Sequence, residues 1–390
     1  MITAITNGRV IARDCICNNI NLYIKDGKIF KITEQTLPCD KKIDAGGAYV
    51  SPGFIDMHTH GAGGFDFLDK SEEAYIVSSR VHAEHGATGI VPTITSVDID
   101  GVKTAIKLFK SAREKQTNGA ELLGLHAEGP YFAESQKGAQ ESRFIHPFDP
   151  DEYNEIINLG GDCILRWSAA PELSGMEQFA KKATENDILL CIGHSDADYD
   201  CAVSAYEKGF SHVTHLYSCT SSVHRKNAFR YAGIVEAAYL IDNMSVEIIA
   251  DGIHLPPALL KLVYKIKGAD RIALVTDSMR GAGMPDGESV LGNIENGLKV
   301  IIEDGVAKLL DRSAFAGSVA TCDRLVRNMI RLADVPLCDA VKMMSTTPAR
   351  ILKLENKGEL KEGYDADIVI FDDDINVIKT IVGGKTVYEI

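Results

Sequence analysis

Apolar and polar residues alternate in short segments at both ends of the chain. The N-terminal segments are ITAITNGRVI, INLYIKDGKIFKIT and KKIDAGGAYV, separated by the turn pairs Asn7–Gly8 and Asp26–Gly27. Alternation with a period of two, interrupted by Asn-Gly or Asp-Gly, is typical of β-hairpins. The C-terminal stretch KGELKEGYDADIVIFDDDINVIKTIVGGKTVYEI has the same pattern. We therefore predict one small β domain formed by residues 1–52 and 355–390. The alternative is two unrelated terminal appendages.

The middle of the chain, residues 53–354, alternates apolar segments with longer helical patterns. Eight segments are predicted to be strands: YVSPGFIDMHTH, TGIVPTIT, ELLGLHAEGP, CILRWSAAPE, DILLCIGHSD, HVTHLY, VEIIADGIHL and RIALVTDSM. Helices are predicted at EEAYIVSSRVHAEHG, DGVKTAIKLFKSAREKQ, EQFAKKATEN and CDRLVRNMIRLA. Eight βα units in about 300 residues predict an α/β fold of the (β/α)8 TIM-barrel type. A doubly wound open sheet is the alternative, but no GxGxxG motif follows the first strand.

Composition and charge narrow the class of protein. Apolar residues make up 45% and charged residues 25% of the 390 residues, a balance typical of a soluble globular enzyme. We expect no membrane span and no secretory signal, because no apolar run reaches about 18–20 residues and the start MITAITNGRV lacks an apolar core. Nine cysteines without a CxxC pair indicate free thiols and a cytoplasmic location. A net charge of −14 argues against nucleic acid or an anionic membrane as partner.

Potential metal ligands and acid–base residues are concentrated where the predicted strands end. In a barrel of this type the C-terminal end of each strand faces the active site. Six of the eight strands end in such residues: His58 and His60, Glu128, His194, His215, His254 and Asp277. Any one of these histidines taken alone has a non-functional alternative: a hydrogen-bonded core residue or an ordinary surface residue. Six strand ends together favour an active site.

The spacing of His58 and His60 has a structural meaning. Strand side chains alternate with a period of two, so both imidazoles point to the same face and are able to share one metal. Histidine and carboxylate ligands together suit zinc, and iron or manganese less well. A catalytic metal activates water, and a nearby acid must take the water proton. Asp277 is placed for that task.

Several stretches of the chain resemble the amidohydrolase superfamily. They are PGFIDMHTHGAGGFDF, GLHAEGPYF, CIGHSDAD, VTHLYS, ADGIHLPP, LVTDSM and FAGSVATCDRLVRN, and KGELKEGYDADIVIFD resembles the superfamily's small β domain. Within the superfamily the order HAEGP, GHS, THLY, DGIH and TDSM is similar to that of deacetylases acting on N-acetylated amino-sugar phosphates. The resemblance implies a barrel joined to a small β-sandwich made from both termini. It also implies a homodimer.

The resemblance assigns roles to the strand-end residues. Glu128, His194 and His215 match the ligands of the main metal. Asp277 matches the general base and acid, and His254 matches a residue that contacts the sugar phosphate. Because the chain contains both His58 and His60, two alternatives stay open: one bound metal or two.

A phosphate-binding arginine that reaches across the dimer interface is also implied, and Arg225 is our candidate. Its neighbours Lys226 and Arg230 would add positive charge for an anionic substrate in an acidic protein. The alternative is a solvated loop with exposed basic residues. The surrounding segment SCTSSVHRKNAFRYAG is too polar and irregular for a core, and we expect a functional loop there.

The chain departs from the family pattern at positions expected to bind substrate. Gln140 replaces a histidine that contacts the substrate amide in some members. A glutamine N–H is able to donate to the carbonyl but brings no charge. Ser218 and Cys219 stand where an Asn-Ala pair is common. We expect all three residues to contact the substrate.

The reaction implied by the resemblance is hydrolysis of the N-acetyl group of N-acetylglucosamine 6-phosphate by a metal-activated water. Three alternatives stay open. One is the galactosamine epimer as substrate, and another is the opening of a cyclic amide. The third is a barrel retained as a non-catalytic scaffold, which predicts eroded ligands, whereas every expected metal position holds a competent residue.

Overall fold

Eight parallel strands form the predicted barrel in a computed structural model that describes residues 1–390. Each strand pairs in parallel with the next one along the chain. In order, they are Phe54–Thr59, Ala87–Ile94, Leu125–Glu128, Ile164–Ala169, Leu189–Ile192, Phe210–Val213, Ser245–Ile248 and Ile272–Leu274. The eighth strand meets the first at its C-terminal end, where Asp277 N donates to His58 O (2.9 Å) and His60 N donates to Ser278 O (2.8 Å). The prediction of a (β/α)8 barrel is confirmed.

The barrel strands are apolar along most of their length because both of their faces are covered. All eight residues of Ala87–Ile94 are buried. Ile55, Met57, Val91 and Val275 belong to an apolar cluster separate from the large core that packs against the surrounding helices. The residues predicted to bind metal lie at or near the strand ends, whereas Arg166 and Glu247 are buried charges within the strands.

Ten α-helices surround the barrel or follow it. They are Glu72–Glu84, Ile99–Lys115, Pro150–Gly160, Met176–Glu185, Tyr199–Glu207, Ile234–Leu240, Pro257–Lys267, Cys322–Ala333, Leu337–Met344 and Thr346–Ile351. The four helical predictions are confirmed. Side-chain caps begin several of the helices, as where Asp98 accepts a hydrogen bond from Gly101 N. No helix of the protein combines the length and the apolar character needed to cross a membrane.

One eight-stranded sheet contains strands from both termini. They are Ile2–Ala12, Cys15–Lys25, Lys28–Thr33, Lys41–Asp44, Tyr49–Pro52, Ile368–Phe371, Val377–Val382 and Lys385–Glu389. Tyr49–Pro52 joins the two halves, because it pairs in parallel with Ile2–Ala12 and antiparallel with Ile368–Phe371. The terminal segments thus form one β unit, as expected. The division into residues 1–52 with 355–390 and residues 53–354 stays a prediction.

Two insertions lie at the C-terminal end of the barrel. The segment after the sixth strand contains an exposed two-stranded hairpin, His224–Lys226 with Phe229–Tyr231, where we expected an irregular loop. A three-stranded antiparallel sheet, Gly287–Leu291, Leu298–Glu303 and Val306–Leu309, follows the eighth strand. The strand prediction did not include this sheet.

Candidate active site

Two groups of three buried residues meet at the C-terminal ends of the barrel strands. The main trio is Glu128, His194 and His215, and the second trio is His58, His60 and Asp277. Within each trio the potential ligand atoms all lie within 4.8 Å of one another. The structure therefore brings together six of the seven strand-end residues in the arrangement that a metal centre requires.

The carboxylate of Glu128 lies between the two trios. Its Oε1 is 3.2 Å from the Nε2 atoms of both His194 and His215 and 3.5 Å from His58 Nε2. Its Oε2 is 3.4 Å from His60 Nε2. On the other side, Asp277 Oδ1 is 3.0 Å from His60 Nε2 and 3.4 Å from His58 Nε2. Four imidazoles thus point their Nε2 atoms at two acids.

Hydrogen bonds at Nδ1 fix the orientation of three of these rings. His194 Nδ1 donates to Gln136 O (2.9 Å), and His215 Nδ1 donates to Ser218 O (3.0 Å). His58 Nδ1 donates to Glu247 Oε1 (2.6 Å). A backbone carbonyl or a carboxylate accepts only from an N–H, so each Nδ1 carries a proton and the Nε2 atom, which a metal would bind, faces the site. Metal-binding histidines in proteins are oriented in this way.

A buried nitrogen without a partner supports the same interpretation. His58 Nε2 is inaccessible to solvent and forms no hydrogen bond. An unpaired buried polar atom is costly unless something else binds it. Because this atom faces Glu128 and Asp277, a divalent cation ligated by nitrogen and oxygen fits the donor set.

The acids and imidazoles strongly alter one another's protonation. Burial by itself lowers the pKa of His58, but the carboxylates of Glu247, Glu128 and Asp277 raise it to about 10. Burial would raise the pKa of Glu128, yet the neighbouring histidines hold it well below its usual range. The pKa of Asp277 is also lowered, because His58 and His60 outweigh its burial. The site therefore favours positive charge among the imidazoles, which a metal cation supplies.

Three of the site residues have a left-handed backbone. The φ angles are 48° at His194, 25° at His215 and 48° at Asp277. Non-glycine residues seldom adopt positive φ, and such strain is concentrated at functional sites. At each position the chain turns directly after a barrel strand, which brings the side chain into the opening of the barrel.

The trios border a cavity of about 270 Å³ that also contains most of the predicted substrate-binding residues. Gln140, Ser218, Cys219 and His254 all line it. Leu291 from the inserted sheet, together with Phe315, adds an apolar wall. Polar groups that converge on one side of a concave apolar surface are typical of a small-molecule site.

Gln140 is held with a defined amide orientation. Its Oε1 accepts hydrogen bonds from Thr95 Oγ1 (2.6 Å) and Ser96 N (3.0 Å). Its Nε2 consequently faces the site and donates to Glu128 Oε2 (3.3 Å). The N–H group is thus presented at the edge of the metal centre.

His254 belongs to the cavity wall and not to the metal trios. Its Nδ1 donates to Asp251 Oδ2 (2.8 Å), and its ring centroid lies 4.6 Å from that of Phe315. Asp251 also accepts from the backbone N of His254 (2.8 Å). This leaves the Nε2 edge of a fixed ring available to a ligand.

Arg225 is not brought to the cavity within one chain. It lies on the exposed hairpin together with Lys226, and Arg230 occupies the opposite strand. None of these three residues lines the cavity. The interface role of Arg225 stays a prediction.

Sequence reasoning missed the buried groups that support the trios. Glu247 and Arg166 are completely buried and form an ion pair (2.5 Å) inside the barrel. His126 is also buried, and its ring centroid lies 4.5 Å from that of His58. A signal was present, because a glutamate in VEII and an arginine in ILRW are charges within apolar strands.

Comparisons with known proteins extend over nearly the whole chain. Residues 49–387 match the model described as the Amidohydrolase family. The N-acetylglucosamine-6-phosphate deacetylase of Lysinibacillus sphaericus is 34% identical over 367 residues, covering 94% of this chain and 92% of the relative. An N-acetylgalactosamine-6-phosphate deacetylase of Escherichia coli O157:H7 is 29% identical and covers 97% of each chain. The crystal structure of N-acetylglucosamine-6-phosphate deacetylase from Pasteurella multocida aligns with a TM-score of 0.92 at 28% identity, covering 99% of both chains. The similarity includes both the barrel and the terminal sheet.

Proposed function

The chain belongs to the amidohydrolase family, and on this basis we propose that it hydrolyses N-acetylglucosamine 6-phosphate to glucosamine 6-phosphate and acetate. The names of the similar proteins from Lysinibacillus sphaericus and Pasteurella multocida support this substrate. The reaction would serve amino-sugar catabolism and recycling in the cytoplasm.

One observation carries the proposal: the Nε2 lone pairs of fixed imidazoles converge on Glu128, next to Asp277 and at the edge of a cavity. A scaffold protein has no need to keep four buried histidines and two buried acids in this costly arrangement. The intact donor set therefore favours a hydrolase over the non-catalytic alternative.

The metal would be held by Glu128, His194 and His215, with His58, His60 and Asp277 as a second set of ligands. We propose zinc, because neutral imidazole and carboxylate suit it, while iron or manganese fit the same donors. A divalent cation in this site supplies Lewis acidity, which makes water nucleophilic near neutral pH and polarises an acyl oxygen.

Asp277 performs the proton transfers in this proposal. Its pKa is lowered, so Asp277 is ionised at neutral pH and has a free carboxylate oxygen. In this proposal it takes a proton from the water that attacks the acetyl carbonyl. The protonated Asp277 then gives this proton to the amide nitrogen as the C–N bond breaks. The amine and acetic acid leave, Asp277 returns to the carboxylate, and at neutral pH the acid proton passes to the amine to give acetate and an ammonium group.

The remaining cavity residues would bind and orient the substrate. The Nε2 of Gln140 donates to the acetyl oxygen, and Ser218 and Cys219 form the wall beside His215. His254 contacts the sugar phosphate through its free edge. Arg225 of a second subunit would neutralise the phosphate in a homodimer, since an arginine suits phosphate through its two-pronged guanidinium.

Acetate release from three sugars tests the proposed substrate. We expect turnover of N-acetylglucosamine 6-phosphate to exceed that of unphosphorylated N-acetylglucosamine, because the free sugar lacks the group that Arg225 and His254 bind. N-acetylgalactosamine 6-phosphate is the third sugar, since the Escherichia coli relative is named for it. Faster turnover of the galactosamine epimer would replace the proposed substrate. Equal turnover with and without phosphate would refute the roles of Arg225 and His254.

A further inference from the structure

Glu247 is a completely buried carboxylate that belongs to neither trio. It lies in the seventh barrel strand, Ser245–Ile248. Its Oε1 accepts hydrogen bonds from His58 Nδ1 (2.6 Å) and from the backbone N of His215 (3.1 Å). Its Oε2 accepts from Arg166 Nη1 (2.5 Å) and from His212 Nε2 (3.2 Å). A single side chain thus connects the first, fourth and sixth strands to the seventh.

The two trios differ in what fixes their imidazoles. In the main trio, backbone carbonyls hold the Nδ1 atoms of both His194 and His215. In the second trio, His60 Nδ1 is buried and has no hydrogen-bond partner. The carboxylate of Glu247 is therefore the one acceptor that fixes an imidazole of the second trio, and it does so at His58.

Arg166 supplies the positive charge that compensates for the burial of the Glu247 carboxylate. Its guanidinium pairs with Glu247 and also donates to the backbone oxygen of Met57 (3.0 Å), the residue before His58. A buried carboxylate needs a compensating charge and donors for its lone pairs, and Glu247 has both. The ring of His58 and the backbone leading to it are consequently held by the same ion pair.

We propose that Glu247 is the positioning residue of the second trio, and that a divalent cation binds tightly to His58, His60 and Asp277 only while Glu247 keeps the Nε2 of His58 turned inward. The proposal rests on the proposed function in one respect, namely that both trios are metal sites. The acceptors that hold the Nδ1 atoms of the main trio do not involve Glu247, which contacts that trio only at the backbone N of His215. We therefore expect the dependence to be much greater for the second cation.

Zinc titration of metal-stripped protein, in competition with a chromophoric chelator, tests this inference. Wild type is expected to bind two ions. Glu247→Gln is isosteric, but only one of its terminal atoms accepts hydrogen bonds, so His58 and Arg166 are no longer both satisfied. We expect this variant to bind one ion with near-wild-type affinity and the other about 10- to 100-fold more weakly.

Ser245→Ala is the matched control, because Ser245 lies on the same strand and its side chain contacts His212 and Ser211 but neither trio. It should bind both ions as the wild type does. Three results would overturn the proposal: one ion in wild type, unchanged binding of both ions in Glu247→Gln, or equal weakening of both. The same loss in Ser245→Ala would also overturn it.

Glu247→Asp provides a second variant if the glutamine protein does not fold. The shorter carboxylate keeps its charge near Arg166 but withdraws from His58, so the same selective loss is expected. Nitrogen-15 NMR of wild type labelled at histidine also tests the geometry. The signals of His58 are assigned as those that are absent from the spectrum of His58→Gln. A proton on Nδ1 of His58 is expected with and without zinc, and a proton that stays on Nε2 in the zinc-loaded protein would contradict the proposal. These readouts use no sugar, so they are independent of whether acetate release supports the proposed function.

Discussion

Asp277 and Glu128 are both acids of the metal centre, but their side chains differ in access. Asp277 keeps 11% of its side-chain surface exposed, whereas Glu128 keeps 2%. Both acids line the cavity, and Asp277 is the more accessible of the two. This difference in access agrees with the proposed roles of Asp277 in proton transfer and of Glu128 as a metal ligand.

Asp277→Asn should reduce acetate release by about 10²–10⁴-fold, because an amide cannot accept the water proton. The metal held by Glu128, His194 and His215 should remain, as measured by elemental analysis of the purified variant. Asp286→Asn, at an exposed loop position, is the matched control and should retain full turnover. Near-normal activity of Asp277→Asn would remove Asp277 from the mechanism.

Gln140→Ala tests the neutral donor that replaces a histidine in this chain. The variant removes an N–H aimed at the metal centre, so kcat should fall by about 10²–10³-fold, as for the loss of one oxyanion donor. Gln178→Ala, on the exposed face of the helix Met176–Glu185, is the control. A rise in KM with unchanged kcat would show that Gln140 binds the ground state and the transition state equally and is no oxyanion donor.

At the scale of elements, the helix Glu72–Glu84 carries a buried histidine that supports the end of the first strand. His82 Nε2 forms a hydrogen bond with Thr59 Oγ1 (2.9 Å), and this hydroxyl also contacts Ser278 Oγ (3.0 Å). Burial lowers the pKa of His82 from 6.5 to about 3. The helix therefore holds the first and eighth strand ends together through a neutral imidazole.

The sign of the resulting pH dependence follows from proton binding. Between pH 6.5 and about 3 the unfolded chain protonates His82 and the folded protein does not. The free energy of unfolding should consequently fall with decreasing pH in this window, by up to about 1.4 kcal/mol per pH unit from this group. Urea unfolding of wild type and His82→Gln at several pH values measures how the free energy of unfolding depends on pH. The variant should lose that part of the slope, and an identical slope in both proteins would refute the assignment.

The residues at the strand ends were predictable from the sequence, while the groups that support them were not. A period of two places His58 and His60 on one face, and the barrel pattern gathers the strand ends at one rim. Glu247 and Arg166 are also visible as charges within apolar strands. Their pairing was not predictable, because it depends on which strands lie opposite each other inside the barrel.

The inserted elements explain the other omissions. The sheet that begins at Gly287–Leu291 forms part of the cavity wall, yet its short segments fall outside the βα alternation that identified the barrel. The hairpin that carries Arg225 was expected to be irregular because its residues are polar. Its two strands pair antiparallel through backbone hydrogen bonds, and the residue composition does not reveal this pairing.

At the scale of the whole molecule, the acidic chain must bind an anionic substrate against its own field. The net charge is −14, and the basic residues nearest in sequence to the sixth strand end lie on an exposed hairpin. In the proposed homodimer, the second subunit would bring such a hairpin to the cavity. The question is then whether Arg225 acts within its own chain or across the interface.

Mixed dimers of Arg225→Ala and Asp277→Asn distinguish these possibilities. If Arg225 acts across the interface, one site of each mixed dimer contains Asp277 from one subunit and Arg225 from the other. Mixing should then restore acetate release from N-acetylglucosamine 6-phosphate that neither variant shows alone. No recovery, in a sample that forms mixed dimers by mass spectrometry, would place Arg225 in its own subunit's site or outside both.

The central claim is that the converging imidazoles and acids form a catalytic metal centre for deacetylation. Its most direct test is acetate release from N-acetylglucosamine 6-phosphate by protein stripped of metal and then titrated with zinc. We predict no turnover without metal. Activity should return as zinc is added and should reach a plateau once the metal site is occupied. Undiminished turnover by the metal-free protein, or no acetate at any zinc level, would contradict the claim.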